Sequence, residues 1–219
     1  MSIKLRNISV PILFTLINLY FSSLLYKYMF HHNLLINNKD ILENNIVFRF
    51  LIDFMGNFFF VFLLMVPIFF KKWPLKKFGI TNKKTAIIII LSAVYLTLFI
   101  YNQDFTMSGW YTSFYYLIFV AFSEEFIFRG YLFNKIDHEY SFWVSVFISG
   151  AIFGIGHAIL PTIMHAESIS YFINQALSNV FGQGILASAF FSIVFKKSGN
   201  LMVPVLIHAI LDYLGIVFS

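Results

Sequence analysis

The side chains in this chain that could do chemistry are few and fall late: Ser123, Glu124, Glu125 and Arg129, then His157, then His208 and Asp212. All lie inside long apolar runs, where an ionisable group costs about 3 kcal/mol and therefore needs a partner or a water-filled cavity. A carboxylate held against imidazoles in a wet pocket has the make-up of a general base. Helix spacing sorts the two glutamates. At about 100° per residue, Glu125 and Arg129 lie about 40° apart, whereas Glu124 and Arg129 lie about 140° apart. Glu125 can then form an i,i+4 ion pair with Arg129. Glu124 needs other partners, and the candidates are His157 and His208. His208 and Asp212 are again spaced i,i+4, so they present an imidazole and a carboxyl group to one point.

Each feature also has a plainer reading. The Glu125 and Arg129 pair neutralises two charges and can be structural, and His208 with Asp212 can be an intrahelical hydrogen bond. Gln175, Asn179 and Gln183 form a polar stripe at i, i+4 and i+8, with Ser178 and Gly182 alongside. It either lines a cavity or bonds to a neighbouring helix. Arg49 and Asp53 are a further i,i+4 pair, read as structural, and Asn57 continues their face. Gly150 and Gly154 read as helix packing; with Gly156 they remove bulk around Phe153 and His157. His31, His32 and His138 read as solvated residues of the joints, and His165 with Glu167 as part of a polar loop.

The elements that must carry these residues follow from composition. The chain has 219 residues, of which 59% are apolar and 11% charged, with 30 Phe and 12 Tyr. Mean hydropathy is +0.80. Soluble domains carry about 25% charged residues, and no water-facing fold could hide this much apolar surface, whereas lipid can act as its solvent. Seven stretches are long enough to cross the membrane, at 8–30, 46–70, 85–101, 110–133, 141–160, 171–195 and 201–218. The sequence thus predicts an all-α, polytopic transmembrane helical bundle of the cell membrane. It reads as one membrane domain, 1–219, with three spans in 1–109 and a four-span core in 110–219, the first span being a retained anchor. Lys4 and Arg6, the lysines between residues 71 and 84, Lys135, and Lys196 with Lys197 fall on alternate joints, which puts the N-terminus in the cytoplasm. The net charge of +5 belongs to loops beside anionic lipid, and no basic module for nucleic acid is present. The absence of Cys excludes disulfides, thiolate metal sites and Cys nucleophiles. Counted from the cytoplasmic ends, Glu124 lies about 14 Å deep, His208 about 10 Å and His157 about 24 Å. A fifth span running past Leu160 narrows that gap.

Three motifs stand in order: EEFIFR at Glu124 to Arg129, FGIGH at Phe153 to His157, and HAILD at His208 to Asp212. Together they resemble the CAAX protease and bacteriocin-processing family (CPBP, or Abi) of intramembrane endopeptidases, with the pattern EExxxR, FxxxH and Hxxx(N/D), over residues 110–218. The resemblance implies a protease that cuts a membrane-associated peptide or protein. By position, Glu124 would activate water, aided by His157, and His208 and Asp212 would stabilise the oxyanion or place the water. Glu125, Arg129 and Phe153 would support the site. Type II CAAX prenyl endopeptidases have Asn where Asp212 stands, and an ionised Asp would repel an oxyanion, so Asp212 must be protonated, orient His208 or bind a cation. The family's description as metalloproteases makes Glu124, His157, His208 and Asp212 a candidate Zn²⁺ ligand set, although no HExxH is present. Two other classes remain. One is a non-catalytic immunity or scaffold protein that captures a peptide without cutting it. The other is a redox or transport protein using the same His and acidic residues.

Overall fold

The computed structural model describes residues 3–165 and 168–217. Glu167 and the end of the last predicted span lie outside them. The described residues contain helices and no strand, as lipid demands: every backbone N–H and C=O must be satisfied within its own segment. Five stretches are long and apolar enough to cross a membrane: Asn7–His31, Ile46–Phe69, Thr85–Asn102, Phe142–His165 and Ile169–Ser198. Met202–Val217 is a shorter apolar helix, and the backbone is helical throughout residues 107–137. The fifth span does continue past Leu160, to His165.

In chain order the α-helical pieces are α1 (Ile3–His31), α2 (Ile46–Asp53), α3 (Phe59–Phe69), α4 (Thr85–Asn102), α5 (Met107–Phe114), α6 (Ser123–Glu125), α7 (Asn134–Asp137), α8 (Phe142–His157), α9 (Ile159–His165), α10 (Ile169–Asn179), α11 (Ile185–Ser198) and α12 (Met202–Val217). Wider π-helical turns join several of them, at Phe54–Phe58, Tyr115–Phe122, Phe126–Phe133 and Val180–Gly184. Such turns are rare and gather at functional positions. Here two of them flank the Ser123–Glu125 piece.

The chain forms two compact units, each drawn from both halves of the sequence: Met1–Leu35 with Ile127–Ile193, and Ile36–Phe126 with Val194–Ser219. In the first, α1 packs against α7 and α9, and α8 against α10 and the Val180–Gly184 turns. Glycines set the second of these contacts. A Cβ on Gly154 would stand 2.6 Å from the Val180 Cα, one on Gly150 2.9 Å from the Gly184 carbonyl oxygen, and one on Gly184 2.5 Å from the Gly150 oxygen. Close backbone approach at small residues is how membrane helices gain dispersion contacts when burial from water is not available. The Ser149 and Ser188 hydroxyls, 2.8 Å apart, join α8 to α11.

In the second unit α12 packs against α4 and the Tyr115–Phe122 turns. Its start is fixed by Asn200, 1% exposed. The side-chain amide of Asn200 donates to the Thr81 carbonyl at 2.6 Å and the Lys83 carbonyl at 2.8 Å, while its oxygen accepts from Met202 N–H at 3.0 Å. Leu201 N–H donates to the Gly79 carbonyl at 2.9 Å, and Thr81 Oγ1 to the Gly199 carbonyl at 2.8 Å. The lysine-rich joint thus clasps the turn that launches α12. Gly79, at φ +78°, must be glycine: a Cβ there would collide with the Phe195 ring. Farther along, the Tyr95 and Tyr213 rings meet at 5.5 Å. Arg49 and Asp53 do pair, Nε to Oδ2 at 2.6 Å, and Tyr111 OH donates to the same oxygen at 2.7 Å.

Replacing Gly154 with Val should lower the thermal midpoint in detergent through overpacking of about 1–3 kcal/mol. Asn200→Ala, which strips partners from two part-buried carbonyls and from the Met202 N–H at the start of α12, should cost about 1–3 kcal/mol. A Gly154→Val midpoint equal to wild type would show that α8 and the Val180–Gly184 turns are not in contact.

Candidate active site

Glu124, Glu125, His208 and Asp212 come together within the unit of Ile36–Phe126 and Val194–Ser219. Glu125 and Ser123 are brought inward by the short α-helical piece between the two π-helical segments. Ser123 Oγ bonds back to the Phe119 carbonyl and, at 3.3 Å, to the Val120 carbonyl, so it serves the helix rather than acting as a nucleophile. α12 supplies His208 and Asp212 one turn apart.

The contacts are centred on His208, which is 7% exposed. Its Nδ1 lies 2.9 Å from Glu125 Oε1, and Glu125 is fully buried. With Glu125 as a carboxylate, which only accepts, Nδ1 is the donor. The bond fixes the ring and turns Nε2 outward, 3.4 Å from Asp212 Oδ2 and 3.8 Å from Glu124 Oε2. Glu124 and Asp212 are each partly open, with side chains 27% and 28% exposed. Glu124 Oε2 is itself shielded and accepts no hydrogen bond within the protein. It lies 3.8 Å from Nε2, too long for a direct hydrogen bond. The sequence offered His157 and His208 as candidate partners of Glu124; the short hydrogen bond of His208 goes to Glu125.

The other nominated residues belong to the unit of Met1–Leu35 and Ile127–Ile193. Arg129 is fully buried, and its guanidinium sits between two rings, 4.9 Å from the Phe153 centroid and 5.1 Å from that of Phe191. Cation–π contacts of this kind strengthen as water is excluded. Phe153 also meets the Phe128 ring edge-on at 4.9 Å and the His157 ring at 4.3 Å. His157 Nδ1 lies 3.0 Å from the Phe153 carbonyl oxygen; donation there leaves Nε2 to accept a proton. Phe153 therefore links the arginine to the histidine. Because Arg129 lies in the Phe126–Phe133 π turns, the 100° step used to separate it from Glu124 is not followed there.

The sequence reading missed Asn200 and Phe191. Asn200 had a signal, a Gly-Asn pair just before an apolar helix, which is a stop followed by a cap. Phe191 had none, since nothing distinguishes one Phe from its neighbours on an apolar helix. For Zn²⁺, His208, His157, Glu124 and Asp212 supply suitable donor types. Among the described residues, however, no group of three or more His, Asp or Glu is arranged to hold a metal ion.

The described residues form a multi-pass helical membrane protein in which a buried and a part-open glutamate stand against one imidazole, a set suited to acid–base rather than thiol chemistry. The family model for type II CAAX prenyl endopeptidase Rce1-like proteins matches residues 106–214, and through this second half the chain belongs to the CAAX protease family. No curated protein and no solved structure matches it.

If Glu125 positions His208, Glu125→Ala should cut turnover by about 100-fold or more, with Glu125→Gln in between. Nitrogen-15 NMR of the His208 ring should show the Nδ1 signal move in both variants. An unmoved signal would disprove the contact.

Proposed function

We propose that the protein cleaves a peptide bond of a membrane-associated peptide or protein with water activated by Glu124. Glu124 Oε2 takes a proton from the water, whose oxygen adds to the scissile carbonyl carbon. The ring of His208, when protonated on both nitrogens, donates Nδ1–H to Glu125 and Nε2–H to the developing oxyanion, which stabilises charge that exists only in the transition state. The proton on Glu124 then passes to the amide nitrogen, the C–N bond breaks, and a carboxylic acid and an amine leave. His157 shares the activation of water, a role that rests on its place in the FxxxH motif. Asp212, 3.4 Å from Nε2, orients the imidazole from the side opposite Glu125.

The observation that carries this reading is the spacing at His208: one nitrogen bound to Glu125, the other facing a shielded Glu124 oxygen that has no hydrogen bond of its own. The family's name points to prenylated CAAX tails, and the CPBP resemblance points to bacteriocin leaders or signalling peptides.

The test is cleavage by purified protein in detergent of two peptides, one farnesylated and CAAX-terminated, the other a 20-residue apolar leader-type peptide, each with and without a chelator. Wild type should cleave at least one, and Glu124→Gln should be slower by about 10²–10⁴-fold, the usual size of a general base's contribution. Loss of cleavage with chelator would assign a metal to the site. Equal cleavage by the two proteins would remove Glu124 from the chemistry, and equal binding without cleavage would make the chain a peptide-capturing protein.

A further inference from the structure

One apolar stretch ends at Phe69 and the next begins at Thr85, so residues 70–84 stay at the boundary between membrane and water. They include six lysines and no acidic residue. Lys71, Lys72, Lys76, Lys83 and Lys84 are exposed, and so are the apolar Phe70 and Leu75 among them. Lys77 Nζ lies over the Trp73 ring, 3.3 Å from its centroid.

Two contacts run inward from this segment, one toward each partner of the hydrogen bond between His208 and Glu125. Phe78 closes the 3₁₀ turn Leu75–Phe78, which carries Lys76 and Lys77. It is buried and stacks on Phe126, ring centroids 4.7 Å apart, and Phe126 directly follows Glu125. On the other side, the Thr81 and Lys83 carbonyls accept from Asn200 at the start of α12. The Lys83 side chain lies across the same turn, since a Cβ on Gly199 would stand 3.1 Å from its Cδ. A single lysine-bearing segment thus holds both the chain beside Glu125 and the helix that carries His208.

A run of like charges with no acid in it repels itself and is steadied by counter-charge. At a membrane surface the counter-charge is the phosphate of anionic lipid, which the ammonium groups reach while Phe70 and Leu75 enter the acyl boundary and Trp73 sits at headgroup level. A soluble polyanion would gain nothing from those apolar side chains. Each lysine at such a surface adds about a fivefold gain in affinity. Lipid that binds the gathered lysines favours the arrangement in which they are gathered.

We propose that anionic lipid docks on residues 70–84 and raises activity by steadying their hold on Phe126 and α12, which keeps His208 in register with Glu125. The effect on activity rests on the protease reading; the docking of lipid does not.

The full chain is placed in nanodiscs of phosphatidylcholine, alone or with about one-third phosphatidylglycerol. Hydrogen exchange is followed at the Leu201 and Met202 amides, which donate to the Gly79 carbonyl and the Asn200 side chain. Phosphatidylglycerol should slow it by at least about fivefold. Lys71→Gln, Lys72→Gln, Lys76→Gln and Lys84→Gln together should remove the slowing, and Arg at the same four positions should keep it. With the peptide that wild type cleaves, kcat rather than KM should improve by at least about threefold in the anionic discs. Equal exchange in the two lipids overturns the proposal, as does slowing that survives the four Gln substitutions or is lost with Arg. Slowed exchange with unchanged kcat overturns the link to activity. Failure of wild type to cleave either peptide in any lipid counts against the protease reading, and the exchange rates then decide the lipid site by themselves.

Discussion

The site depends on one hydrogen bond made without water, from His208 Nδ1 to Glu125 Oε1 at 2.9 Å. In a buried apolar setting a carboxylate and an imidazole left apart would each go unsolvated, so the two hold one another firmly. The direction of Nε2 follows from that bond, and with it the relation of His208 to Glu124 and Asp212. A glutamate that is fully buried thereby sets the geometry for one that is partly open. Of the adjacent EE pair, Glu125 is fully buried against His208, and the Glu124 side chain is partly open.

Holding that bond in register requires α12 to start at a fixed place, and the fold supplies this from the other end of the helix. Asn200 ties the α12 N-terminus to the backbone at Thr81 and Lys83, while Tyr213 is buried against Tyr95 beyond the site. His208 lies between these two anchors. The lysine-rich joint is therefore more than a solvated basic face. Its side chains suit the anionic lipid surface, and its carbonyls receive the turn before α12.

The other unit uses aromatic packing for a comparable purpose. Phe153 touches Arg129 on one side and His157 on the other, so the FxxxH motif contains both a histidine and the ring that seats it. Glycines at 150, 154 and 184 let α8 and the turns after α10 meet at backbone distance. Packing on that side half-buries Gln175 and Asn179 and leaves Ile173, Leu177 and Phe181 exposed.

Much of this was legible in the sequence. Composition alone required helices in lipid, because charged groups are too few to coat a soluble surface; spacing alone grouped Arg49 with Asp53 and His208 with Asp212. The short list of ionisable residues inside apolar runs already contained Glu124, Glu125, His208 and Asp212, which the structure brings together. The sequence could not say which glutamate would hold His208. That choice depended on how the Ser123–Glu125 piece and α12 face each other, which leaves no mark in composition. Nor could it distinguish Phe191 from the other phenylalanines or tell which side of α10 would be covered. Those outcomes belong to the tertiary structure because they depend on which surfaces meet, and periodicity on one helix fixes its faces without fixing its neighbours.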